Sequence, residues 1–107
     1  MILVSKYIVP KGFTGIALFP FVFVKYTHLK RNKIFVNHER IHLKQQLELL
    51  IFPFFIWYGL EFLVRFSYYK DFHQAYQNIS FERESYQNEH HLEYLKNRRF
   101  WNFLKYL

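Results

Sequence analysis

His38-Glu39-Arg40-Ile41-His42 has the form H-E-x-x-H. On a helix, residues four apart lie one turn apart on the same face, so His38 and His42 can bind one Zn²⁺ together while Glu39 stands beside it as a candidate general base. A catalytic zinc typically has three protein ligands and one open position, so a third side chain must arrive from elsewhere in the fold. The chain contains no cysteine. This excludes a thiolate site, a Cys nucleophile and a disulfide framework, and leaves His and carboxylate to hold any transition metal. Three places offer candidates for the third ligand: Glu61, the Glu82/Glu84 pair, and the histidines His73, His90 and His91. Without such a ligand, His38 and His42 would be ordinary surface or hydrogen-bonded core histidines.

The elements that must position these groups divide into a strand-like front and a long helical remainder. Ile2 to Val9 is rich in β-branched and aromatic residues, Pro10-Lys11-Gly12 reads as a turn, and Phe13 to Val24 resumes a strand pattern kinked or bulged at Pro20. These segments predict a hairpin or two edge strands packed on the motif helix. After a polar loop over Thr27 to Asn32, that helix starts near Asn32 or Asn37, either of which can cap it. Ile34, Ile41, Leu47 and Leu50 predict its core-facing stripe, with a break at Pro53. Further helices are expected over Phe54 to Tyr69, Phe72 to Asn78, Phe81 to about Asn97 behind a Ser80 cap, and Phe100 to Leu107. The fold class expected is α+β, mostly helical, with residues 1–107 as one small domain.

Composition narrows the setting. Hydrophobic residues make up 51% of the 107 and aromatics 23%, with 14 Phe and 9 Tyr, so the chain has the means to bury a core and is not disordered. The net charge of +7 favours anionic partners. The basic residues are scattered, however, and no RNA or DNA motif accompanies them, so nucleic acid is not expected as a partner. Two uncharged apolar runs, Gly12 to Val24 and Leu49 to Leu60, fall short of the roughly 20 residues a bilayer helix needs, and each contains a proline. Extending the second run meets Glu48, Glu61 and Arg65, which suits a buried or interfacial helix, so peripheral membrane contact is compatible with the pattern. The opening MILVSKYIVPKG lacks a continuous apolar core and a small-residue cleavage pattern. No cleaved signal peptide is read, and a cytoplasmic or membrane-peripheral location is favoured.

The motif and Ser80-Phe81-Glu82-Arg83-Glu84-Ser85-Tyr86 together resemble the gluzincin metallopeptidases, which pair an H-E-x-x-H helix with a zinc-binding Glu on a later helix. Within that group the chain looks most like the sensor peptidases related to BlaR and MecR and the minigluzincins. The correspondence covers roughly His38 to Asn88. It implies Zn²⁺ held by His38, His42 and Glu82, Glu39 as general base, and a peptide or protein substrate lying along an edge strand, for which Phe13 to Val24 is available. Tyr86 stands where such proteins often carry an acidic residue four positions after the ligand Glu, and Tyr86 is instead a candidate oxyanion donor. Resemblance to minigluzincins also implies latency, with the aromatic tail from Phe100 covering the cleft. His42 leads into Leu-Lys-Gln-Gln-Leu-Glu, which is not the metzincin continuation.

The candidate acids have other uses. Glu82 and Glu84 lie in the first turn after Ser80, where the helix dipole favours carboxylates without any metal, and Glu61 can pair with Arg65 one turn on. Two further function classes fit the composition: a noncatalytic basic-aromatic module that binds a membrane surface or partner, and an inactive metal-binding relative that kept the histidines.

Overall fold

The three short strands at the front of the chain bury one face against a helix whose inward side is mostly polar. In the computed structural model, which describes residues 2–107, these strands are β1 (Ile2–Val4), β2 (Gly15–Leu18) and β3 (Phe21–Val24), arranged in the order β1-β3-β2. β1 runs parallel to β3, with Ile2 opposite Val22, and β2 runs antiparallel to it, with Ala17 opposite Val22. The α+β class and the placing of the strands on the motif helix are as expected. Two details differ. Ile2 to Val9 is a strand only as far as Val4, and Phe13 to Val24 is two strands. Pro20 forms no bulge: with Phe19, to which it is joined by a cis peptide bond, it makes the two-residue turn of the β2–β3 hairpin.

Alternation along β2 and β3 points Gly15, Ala17, Val22 and Val24 toward helix α1 (Lys33–Glu48). Val22, Val24 and Leu29 pack there with Ile2, Phe35 and Leu43. Asn32 caps α1, its side-chain oxygen accepting from the Phe35 amide at 3.1 Å. Thr27–Arg31, expected as loop, forms a short 3₁₀ turn that leads into this cap. Gln46, near the far end of α1, reaches the sheet: its Nε2 donates to the Ala17 carbonyl at 2.6 Å and its Oε1 accepts from the Phe19 amide at 2.7 Å.

The expected core stripe on α1 is overturned. Of its four members only Ile41 is buried, whereas Ile34, Leu47 and Leu50 are exposed. The buried side of α1 carries Asn37, His38, Glu39, His42, Gln45, Gln46 and Glu48 instead. Periodicity identifies which residues share a face, and here the inward face is the one whose polar groups find partners.

α1 ends at a corner where Leu50 and Ile51 have positive φ of 59° and 39°, and the chain turns by 112° into α2 (Phe52–Tyr69). α3 (Phe72–Gln77) is capped by Asp71, which accepts from the His73 amide at 3.0 Å. α4 spans only Ser80–Asn88, and a separate turn, α5 (Tyr94–Asn97), follows, so the single helix expected to Asn97 is broken. Ser80 is the first residue of α4 rather than its cap. Its amide and hydroxyl both donate to Glu61 of α2, at 2.5 and 2.6 Å, so a carboxylate from another helix satisfies this N-terminus. Phe54, Ile79, Phe81 and Phe103 form the second core cluster, with Leu49. The tail expected as a helix is a 3₁₀ turn, Asn102–Tyr106. No single helix among the described residues is long and apolar enough to cross a membrane.

A Cβ at Gly15 would overlap the Phe35 ring and come within 3.1 Å of the Phe23 carbonyl oxygen. Gly15→Val should therefore lower unfolding stability by about 1–3 kcal/mol. Urea denaturation checks this, and an unchanged midpoint would show that β2 does not sit this close to α1.

Candidate metal centre

α1 and α4 bring three ligand atoms to one point. His42 Nε2 lies 3.2 Å from His38 Nε2 and 3.1 Å from Glu82 Oε1, and His38 Nε2 lies 3.4 Å from the same oxygen. All three residues are buried, and together they could hold a metal ion. Of the other candidate ligands, Glu61 is committed to Ser80 and Arg65. Glu84 is committed to Arg98, Tyr94 and Gln45. His73, His90 and His91 are exposed and do not belong to the cluster.

The tautomers of both histidines follow from their outer partners. His38 Nδ1 is 2.7 Å from Glu89 Oε1, and because a carboxylate only accepts, the ring proton sits on Nδ1. For His42 the logic runs one residue further. Gln45 Nε2 donates to the Phe81 carbonyl at 3.1 Å and to Glu84 Oε1 at 2.9 Å, so its amide oxygen must be the atom facing His42 Nδ1 at 2.9 Å. Glu84 is itself held by Arg98, whose Nε lies 2.5 Å from Oε2, and by the Tyr94 hydroxyl. Arg98 also reaches Glu48 at 2.6 Å, tying the C-terminal segment to α1. Both rings thus turn an Nε2 lone pair toward a Glu82 carboxylate oxygen. Three acceptors converge with no donor among them, an arrangement that calls for a cation.

A proton can supply that charge. Burial alone would lower the pKa of His42, but the Glu82 carboxylate outweighs it and raises the value to about 9. Burial would raise Glu82, yet His42 and His38 hold it well below the usual carboxylate range. Tyr58 of α2 donates to the other Glu82 oxygen at 2.7 Å, and burial together with Glu82 keeps that phenol protonated. Burial also pushes the neighbouring Glu39 carboxyl up, against the opposing pull of His42 and His38. Glu39 is not one of the three residues whose ligand atoms converge, but it lines the two cavities beside them.

The cluster faces two cavities that share Glu39 in their walls. One, of about 420 Å³, is lined by β2, by Phe55, Tyr58 and Phe62 of α2, and by Glu39, His42 and Glu82. The other, of about 620 Å³, runs past His38, Glu39, Tyr86 and Glu89. Tyr76 lines both. The Tyr86 ring packs edge-on against His38, with centroids 4.6 Å apart. The aromatic tail does not cover this cleft. Phe103 packs against Phe81 and Trp57, and Tyr106 bonds Arg83 and Asn88, so residues 100–107 line neither cavity.

Glu89, Gln45, Tyr58, Tyr76 and Arg98 are the participants that sequence reasoning missed. Glu89 had a visible signal, lying seven residues after Glu82 and so two helical turns along the same face. It supplies an orienting carboxylate to the first histidine even though Tyr86 stands where an acid was sought. No known family model, curated protein or solved structure matches the chain.

Two outcomes follow from this geometry. Glu89→Ala should weaken metal binding about 10–100-fold, because His38 loses the partner that fixes its ring; competition with a chromogenic chelator measures it, and unchanged affinity would make Glu89 incidental. Because the folded-state pKa of His42 is raised to about 9, metal and proton compete below that pH. Apparent affinity should fall about tenfold per unit as pH drops from there. Calorimetric titration near pH 7 in buffers of different ionisation enthalpy should show about one proton released, and none released would contradict the pairing with Glu82.

Proposed function

We propose that this protein is a zinc-dependent peptidase of gluzincin type, with His38, His42 and Glu82 as ligands and Glu39 as general base. The observation that carries the reading is the convergence of the two Nε2 atoms and one carboxylate oxygen. Their separations of 3.1 to 3.4 Å match the edge of a tetrahedron, about 3.3 Å, whose centre lies about 2.0–2.1 Å from each corner, the usual distance for zinc bound to nitrogen and oxygen. Two imidazoles and one carboxylate also form a zinc donor set with one position left over. A zinc ion held there supplies Lewis acidity, which polarises a carbonyl and makes water a better nucleophile at neutral pH.

The chain's own residues account for the remaining requirements of amide hydrolysis. Glu39, with its proton affinity raised by burial, takes the proton of the attacking water and returns it to the departing amine. Tyr76 and Tyr86 keep their phenolic protons, since burial raises both, and their hydroxyls are donors for the negative charge that builds on the carbonyl oxygen. Lys25 donates to the Thr14 carbonyl at 2.9 Å in the β2–β3 ladder, so Gly15 and Ala17, one residue out of phase, turn their backbone groups to the open edge. An extended peptide can pair there, with an apolar side chain in the aromatic-lined cavity beside Phe55 and Phe62.

Glu39→Gln separates a peptidase from an inactive metal protein. The variant should keep about one zinc per chain and lose hydrolysis of a fluorogenic peptide library by about 10²–10⁴-fold. Zinc-loaded wild type that cleaves nothing, or a variant as active as wild type, would refute the assignment.

A further inference from the structure

α2 is amphipathic in the reverse sense. Its only charged residues, Glu61 and Arg65, are turned inward: Glu61 is buried on Ser80, and Arg65 pairs with it at 3.4 Å. Phe52, Ile56, Leu60, Leu63 and Val64, spaced by three or four residues, are each at least 60% exposed. This apolar face follows a helix of 18 residues, about 27 Å long. It begins at the α1–α2 corner, where Leu47 and Leu50 are also exposed. The opposite face packs Phe54 and Trp57 onto Phe81 and Phe103, so α2 can lie on a surface but not be surrounded by one.

The charge distribution selects the occupant. Five of the 8 acids, Glu39, Glu48, Glu61, Glu82 and Glu84, are buried, and of the acids only Asp71 and Glu93 belong to exposed residues. Most of the 15 Lys and Arg remain outside, so the surface is more cationic than the net charge of +7 implies. Lys33, Arg40 and Lys44 share the outer face of α1, a stripe that ends at Leu47, where the exposed apolar surface begins. A second copy would bring like charge to this face, whereas anionic headgroups beneath hydrocarbon complement both of its components.

We infer that the outer face of α2 docks on an anionic lipid bilayer, seating the helix in the interface with the basic side of α1 over the headgroups. The cavity walled by Phe55 and Phe62 of the same helix then opens beside the membrane surface. The inference does not rest on the peptidase reading, and binding is measured on metal-free and zinc-loaded protein alike. In flotation assays, wild type should bind vesicles of phosphatidylcholine with about one-third phosphatidylglycerol, and bind pure phosphatidylcholine more weakly. Leu60→Glu with Leu63→Glu should reduce binding more than about tenfold, and Arg40→Gln with Lys44→Gln should reduce binding to the anionic vesicles alone. If the Glu pair does not melt cooperatively, the Gln pair at the same positions repeats the test. Absence of binding by wild type, binding unaffected by the α2 substitutions, or a dimer in sedimentation that those substitutions dissolve would overturn the inference, the last by assigning the face to a second copy.

Discussion

Removing a carboxylate from water costs several kcal/mol after relaxation, and this small fold does so five times. Glu48, Glu61, Glu82 and Glu84 each find a partner, and the partners dictate how the pieces meet, whereas burial raises the pKa of Glu39 instead. Glu61 takes both donors of Ser80, which sets α4 against α2. Glu84 and Glu48 share Arg98, which draws the chain beyond α4 back across α1. Glu82 faces two imidazoles, with Tyr58 on its other oxygen. The two hydrophobic clusters supply apolar burial, but these polar contacts decide which helix faces turn inward.

The same constraint explains what could be read in the sequence and what could not. H-E-x-x-H on a capped helix was legible because its geometry depends on local spacing and the Asn32 cap. Glu61 pairs with Arg65 one turn on, as the local spacing predicts, but its shorter bonds go to Ser80, which no local pattern indicates. Ile34, Leu47 and Leu50 formed a plausible stripe, yet the burial of α1 was decided by Gln45, Gln46 and Glu48 meeting groups far along the chain. Helical periodicity cannot distinguish an apolar face that is buried from one that is displayed when the opposing polar face has its own partners.

The outer contacts of the candidate metal centre were the least legible part. Glu89 lies just past the end of α4, and its position depends on Asn37, whose side-chain amide lies within hydrogen-bonding distance of the carbonyls of Asn88, Glu89 and His91. From sequence alone, Asn37 reads only as a candidate helix cap. Its bonds cross more than fifty residues, so the feature that aims one imidazole comes from tertiary structure. Gln45 shows a related effect: it is chemically symmetric enough to face either way, and Glu84 together with the Phe81 carbonyl selects the orientation.

Gln46 gives the β2 edge a definite end. By occupying the Ala17 carbonyl and the Phe19 amide, it already fills the place of a neighbouring strand at that point. Under the proposed peptidase reading, a substrate chain would align with Gly15 and the Ala17 amide and would have to leave the edge there. For the peptide substrate proposed above, such an internal stop would set the register relative to the histidines by main-chain geometry before any side chain is recognised.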